Sequence, residues 1–237
     1  MTNPIRIPDA FRAFKGLPHQ LAATEWLDDQ LTAEQREQFG EMFRADPPEK
    51  PEASPSPGLV ANPLPVPYFA QLDNGPEGWR QCQTSSLAMC LAFLKVPGIK
   101  DDVDYLKVVQ RYGDTTSQQA HQLALTALKV RARFRQNMST TDLLGELKAG
   151  LPVAIGILHH GPVSAPTGGG HYITAIGYDI KAGAWIVHDP YGEQDLVNGG
   201  WVRKGGNAGR SLRYSQRNLN PRWLPDGPAS GWGWVFS

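Results

Sequence analysis

The chain has 237 residues, 41% of them hydrophobic and 19% charged, which is the profile of a folded globular protein able to bury a sizeable core. Lys and Arg number 23 against 23 Asp and Glu, so the formal net charge is 0 and the uniform basic field of a non-specific nucleic-acid or anionic-membrane binder is excluded. The N-terminal MTNPIRIPDAFRAF lacks the charged and apolar regions of a signal peptide, and no run approaches the ~18 apolar residues of a membrane span, so no membrane insertion is expected.

In chain order, residues 8 to 45 read as helical, with a break at Gly16-Leu17-Pro18 and a capping-box pattern at Thr32 and Gln35. Residues 1–46 are therefore expected to form a small helical segment. The following stretch, 47–65, is crowded with prolines and reads as an extended, semi-rigid linker. Residues 66–237 are of comfortable single-domain size.

Within that domain, Cys82 to Lys95 carries Leu87, Cys90, Leu91 and Leu94 at helical spacing, and Pro97-Gly98 stops it. Two further helices are predicted at Asp101 to Tyr112 and Ser117 to Leu128, a strand at Val130 to Phe134, and a capped helix at Ser139 to Ala149 ended by Gly150. Strands are predicted at 153 to 158, 171 to 178 and 184 to 189, the last two joined by a turn around Lys181-Ala182-Gly183, and GWGWVFS closes the chain as a last strand. Helices first and antiparallel sheet second is an α+β pattern.

The two cysteines, Cys82 and Cys90, are eight residues apart, roughly 12 Å along a helix, and so are expected to be free thiols. Amide hydrolysis by a thiol requires a cysteine of lowered pKa, an imidazole to share its proton, and a group to orient the imidazole. Cys82 stands where the loop DNGPEGWRQ becomes a helix, so the helix N-terminus favours its thiolate, whereas Cys90 lies among Leu87, Leu91 and Leu94 as a small hydrophobe. His171 follows a triple-glycine loop and begins a strand, and Asp189 ends the neighbouring strand. Pairing His171 with Tyr191 would put Asp189 opposite Ile173 on one face, while a slip of one residue would separate them. Gln71, with Gln81 as a competitor, is a candidate amide donor to a developing oxyanion, the backbone N–H of Cys82 being the second donor. Trp79, His160 and Gly170 are candidate substrate-binding positions flanking these residues.

Taken together, VPYFAQLDN, CQTSSLAMCL, GGGHYITAIGYD and VHDPYG resemble the papain-like cysteine peptidases of the branch related to bacteriocin double-glycine processing peptidases. The resemblance is closer still to phage and bacterial lysis or cell-wall enzymes with that domain, and it covers Val66 to Ser237. It implies a papain-like α+β fold, with a helical part carrying the cysteine and an antiparallel sheet carrying the histidine and aspartate. It also implies Cys82 as nucleophile, His171 as general base and acid, Asp189 as its orienting group and Gln71 as oxyanion donor. Gln83-Thr84-Ser85 stands where many members have Gly-Pro-Thr or Gly-Ala after the nucleophile, and no membrane-spanning or ATP-binding region follows. A transporter-coupled leader-processing role is accordingly not expected.

The function expected is a cysteine-dependent hydrolase acting on peptidoglycan or another peptide, made in the cytoplasm and acting at the wall after release or virion delivery. A non-catalytic wall-binding or phage structural protein on the same scaffold is the competing class, disfavoured by the intact Cys82, His171 and Asp189. No cofactor is expected. His159, His160, His171 and His188 match no zinc motif, adjacent histidines on a strand would point to opposite faces, and Gly168-Gly169-Gly170 is followed by a strand without Gly-Lys-Ser/Thr. Arg131, Arg133 and Arg135 read as a solvated strand face, and Trp223, Trp232 and Trp234 as packing residues.

Overall fold

A computed structural model describes Thr32, Ala33 and residues 61–237. The expected N-terminal helices, apart from Thr32 and Ala33, and the linker up to residue 60 lie outside the described residues. Contacts divide the chain between Gly58 and Leu59. Asn62 and Leu64, assigned by sequence to the linker, already belong to the domain. Leu64 is buried and its N–H donates to Ile176 O (2.7 Å), while the Asn62 amide donates to Tyr178 O (2.8 Å) and accepts from Tyr178 N–H (3.0 Å). Gly177 lies under this segment because a Cβ there would overlap the Asn62 side chain and the Pro63 ring.

Helix α1, Cys82–Phe93, is buried on every side from Gln83 to Leu91, so it is the central helix rather than an amphipathic surface one. Its polar residues Thr84, Ser85 and Ser86 are buried with its leucines, and the Ser86 carbonyl accepts from the Thr174 hydroxyl (3.1 Å). Helices α2, Asp102–Val109, and α3, Gln118–Ala127, start where Asp101 and Ser117 cap the backbone N–H groups of Asp104 and Ala120. Helix α4, Thr140–Lys148, starts on the capping box of Ser139 and Asp142, and Gly150 follows it at positive φ.

The main sheet has six strands in the order β1, β8, β2, β3, β4, β7, all antiparallel: Ala132–Met138, Gly231–Phe236, Val153–Ile157, His171–Asp179, Ala184–His188 and Leu212–Ser215. Alternation in the sequence stops at Phe134, but β1 runs on to Met138. Pairing with β8 resumes at Met138↔Gly231 after a bulge that leaves the polar Gln136 and Asn137 outside. A separate ribbon pairs β5, Gly192–Gln194, with β6, Trp201–Lys204, and helix α5, Gln216–Trp223, follows β7. Sequence reading found neither the ribbon, β7 nor α5. The strands are short, glycines and arginines interrupt any alternation, and Pro221 stands inside the helix.

Two apolar clusters lie on the two faces of the sheet. One joins Ala154, Tyr172, Trp234 and Phe236 to Leu87, Leu91, Tyr105 and Leu125 of α1 to α3. The other joins Ile155, Ile173, Val187 and Trp185 to Leu143, Leu147, Leu219 and Trp223 of α4 and α5. The alternation of β2 and β3 therefore reads as continuous burial, because helices cover both faces. This is the α+β, papain-like arrangement, with the cysteine helix on one side and the antiparallel sheet on the other. Among the described residues no helix is long and apolar enough to cross a membrane.

Candidate active site

Cys82 opens α1 directly after a 3-10 turn, Gly78–Arg80, and the N-cap residue Gln81 makes no capping bond with its side chain. The first N–H groups of the helix are thus free for another acceptor. The backbone N–H groups of Tyr172, on β3, and of Gln83 both favour the Cys82 thiolate. Burial of the thiol opposes ionisation. The hydrogen bond and positive charge of His171, with the two backbone donors, outweigh it and hold the Cys82 pKa below its ordinary value. Cys90 is also a free thiol, but it is fully buried without such partners, and burial pushes it up.

His171 begins β3. The pairs Thr174↔His188 and Ala175↔Val187 set the register whose continuation places His171 opposite Tyr191 and Ile173 opposite Asp189. His171 Nε2 and Asp189 Oδ1 are 2.8 Å apart, and both residues are buried. Burial disfavours the charged imidazole, yet the carboxylate of Asp189 and then the Cys82 sulfur outweigh it, so that His171 is pushed up to about 10. Since Nε2 is committed to Asp189, Nδ1 is the nitrogen left to share a proton with Cys82.

Asp189 is itself held on all sides. Oδ1 accepts from Tyr191 N–H (3.1 Å), Oδ2 from the Tyr214 hydroxyl (3.4 Å), its N–H donates to Gly209 O (2.8 Å), and its carbonyl accepts from the Tyr68 hydroxyl (3.1 Å). Trp201 meets the His171 ring edge to face at 4.9 Å and stacks on Tyr191 at 4.4 Å, so aromatic rings cover the imidazole.

Gln71 lies in a 3-10 turn, Gln71–Asp73, fully buried, with its N–H donating to Pro190 O (2.9 Å), next to Asp189. One of its two amide N–H donors goes to Gly78 O (2.8 Å), and its Oε1 has no hydrogen-bond partner. Gln81 is buried too, with an unpartnered Oε1. Gly170 lines a cavity of about 320 Å³ that also contains Cys82. Trp79 and His160 do not line it: Trp79 is 59% exposed, its ring facing the Arg80 guanidinium, while His160 is exposed and pairs its backbone with Thr167.

The expectation that His159 and His160 point to opposite faces does not hold. The strand ends at Ile157, so alternation no longer applies, and the two rings pack 4.0 Å apart. Their loop is pinned by Arg222, a fully buried guanidinium that donates to Leu196 O (2.9 Å), Leu158 O (2.9 Å), His160 O (3.1 Å) and Gly161 O (2.8 Å). Tyr172, Gln118, Trp201 and Arg222 escaped the sequence reading. Tyr172 alone had a local signal, as the residue after His171 on a strand.

A comparison with family models matches residues 63–208, more than half of the chain, to the Peptidase_C39 like family. The chain belongs to this C39-like peptidase family. Membership makes it a hydrolase of the peptidase class and agrees with the papain-like resemblance of its motifs. Among solved structures, it is similar to the crystal structure of a C39-like peptidase from Bacillus anthracis, at 18% identity and a TM-score of 0.49, covering 73% of this chain and 96% of that one. No curated protein matches it.

Proposed function

We propose that this C39-like chain is a cysteine peptidase or amidase in which Cys82 is the nucleophile, His171 the general base and acid, Asp189 its orienting group and Gln71 an oxyanion donor. The observation that carries the reading is a thiol of lowered pKa at a helix N-terminus, coupled to a buried imidazole whose other nitrogen is 2.8 Å from a buried carboxylate. The Cys82 thiolate attacks the carbonyl carbon. The tetrahedral oxyanion is received by the Cys82 backbone N–H and the second amide N–H of Gln71. The imidazolium of His171 protonates the departing amine, leaving a thioester and a neutral imidazole. His171 then takes a proton from water as it attacks, and collapse releases the acid and restores the thiolate and imidazolium.

The substrate in this reading is a stem or cross-bridge peptide of peptidoglycan. The likeness of the QLDN, CQTSSLAMCL and GGGHYITAIGYD segments to phage and bacterial wall enzymes supports it. The test is incubation of purified peptidoglycan from Gram-negative and Gram-positive cells with the wild type and with Cys82→Ala, read by mass spectrometry. Defined muropeptides released by the wild type alone are expected, and equal release by Cys82→Ala would refute cysteine catalysis. Cleavage of peptides but not of either wall would move the substrate elsewhere.

A further inference from the structure

The cavity beside Cys82 has a wall built from one residue after each reacting group. Gln83 follows Cys82 on α1, Tyr172 follows His171 on β3, and Gln118, the first residue of α3, joins them. The Gln83 amide N–H donates to Gln118 Oε1 (2.7 Å), and the Gln118 amide N–H donates to the Tyr172 hydroxyl. Donation runs one way along this chain. Tyr172 has accepted a bond and retains its own O–H to give, while Gln83 has given one and retains its carbonyl oxygen to accept. One donor and one acceptor at opposite ends of a chain are the complement of a carboxamide.

Charge points to the same class. Apart from Cys82, Arg80 is the one ionisable side chain on this wall whose charge is fixed, and Asp114 meets it at 2.9 Å. Asp114 is held there by the N–H and hydroxyl of Thr116, at 2.8 and 2.6 Å. With Arg80 already engaged by Asp114, a charged substrate group would meet no unpaired fixed charge among the residues lining the cavity. An aliphatic group would leave the Tyr172 hydroxyl and the Gln83 carbonyl unpaired, and sites built to hydrogen-bond a substrate reject analogues lacking that group by up to about 10⁴-fold. Leu158, Trp232 and the glycines 168 to 170 also line the cavity.

We infer that this cavity selects substrates bearing an uncharged carboxamide, such as an Asn, Gln or amidated acidic residue, next to the scissile bond. The inference rests on the hydrolase reading above. It is tested with a defined library of synthetic peptides containing L- and D-residues, cleaved by the wild type and by Tyr172→Phe and Gln118→Leu, with products quantified by mass spectrometry. At one position beside the cut, kcat/KM for Gln or Asn should exceed that for Glu, Asp and Leu by about tenfold or more. Tyr172→Phe and Gln118→Leu should each lower the Gln-over-Leu ratio several-fold. A preference for charged or aliphatic residues at every position, or an unchanged ratio in both variants, overturns the inference. Absence of any cleavage overturns it as well, and alkylation then separates the two readings. If Cys82 still reacts with iodoacetamide much faster than Cys90 at pH 6, only the cavity assignment fails; if it does not, the hydrolase reading fails with it.

Discussion

Replacing Asp189 with Asn isolates the charge at the site, because the amide keeps the size of the carboxylate and can still accept from His171 and Tyr191. In the folded protein the His171 imidazole is pushed from 6.5 up to about 10, with Asp189 ahead of Cys82 among the groups responsible. That distance is worth about 5 kcal/mol at ~1.4 kcal/mol per pH unit. If half of it belongs to the charge of Asp189, the Asn variant weakens the imidazolium, and with it the Cys82 thiolate, by about 50-fold. The sign follows from linkage: the raised imidazole pKa contributes stability that is full below about 6.5 and lost as pH rises through about 10, while the thiolate–imidazolium pair itself spans the range from the lowered Cys82 pKa up to that limit. The assay is the rate of Cys82 alkylation by iodoacetamide between pH 5 and 10, followed by mass spectrometry. The wild type should alkylate fast well below the 9.0 of an ordinary thiol, and Asp189→Asn should move the inflection upward and slow the reaction at pH 6 by one to two orders of magnitude. An unchanged profile in a folded Asp189→Asn protein would falsify the claim that this carboxylate poises the pair.

Other measurements probe the scaffold. Gly209→Ala should cut hydrolysis at least tenfold without unfolding the domain, since its Cβ would overlap the carbonyl oxygen of Asp189 and push that residue off His171; full activity would show that the loop simply yields. Arg222→Met removes four hydrogen bonds to loop carbonyls and should destabilise the domain by about 3 kcal/mol or more in urea titrations, with a loss under ~1 kcal/mol counting against the pin. His121, buried between the Tyr105 hydroxyl (3.1 Å) and Thr115 O (2.8 Å), is pushed down to about 4 by burial. The unfolded chain therefore binds a proton between about 6.5 and 4 that the folded one does not, and stability should fall by about 3 kcal/mol as pH drops through that window. His121→Gln should flatten that part of the pH profile, which urea melts at pH 7 and pH 4 will show.

Local chemistry made a good deal of this protein legible in its sequence. Helix starts at Asp101, Ser117 and Ser139 follow from side chains that bond backbone N–H groups three residues on, and the positive-φ Gly150 closes α4. The position of Cys82 at a loop-to-helix junction, against the apolar surroundings of Cys90, separates the two thiols by context alone. Such features act within a few residues, so the sequence carries them whole.

What only the tertiary structure decided depends on groups far apart in the chain. The β3 to β4 turn admits more than one register, and it is packing on both sheet faces, with a bulge between Ala175 and Gly177, that aligns Asp189 with His171. The ribbon bearing Trp201 is too short to carry a periodic signal, and Pro221 inside the helix bearing Arg222 masks the stripe of Leu219, Arg222 and Trp223 that it buries, so neither announces that it covers an imidazole or satisfies loop carbonyls. The chain of Gln83, Gln118 and Tyr172 joins residues up to 89 positions apart from three elements, and hydrogen bonds of that span exist only once the helices have packed on the sheet.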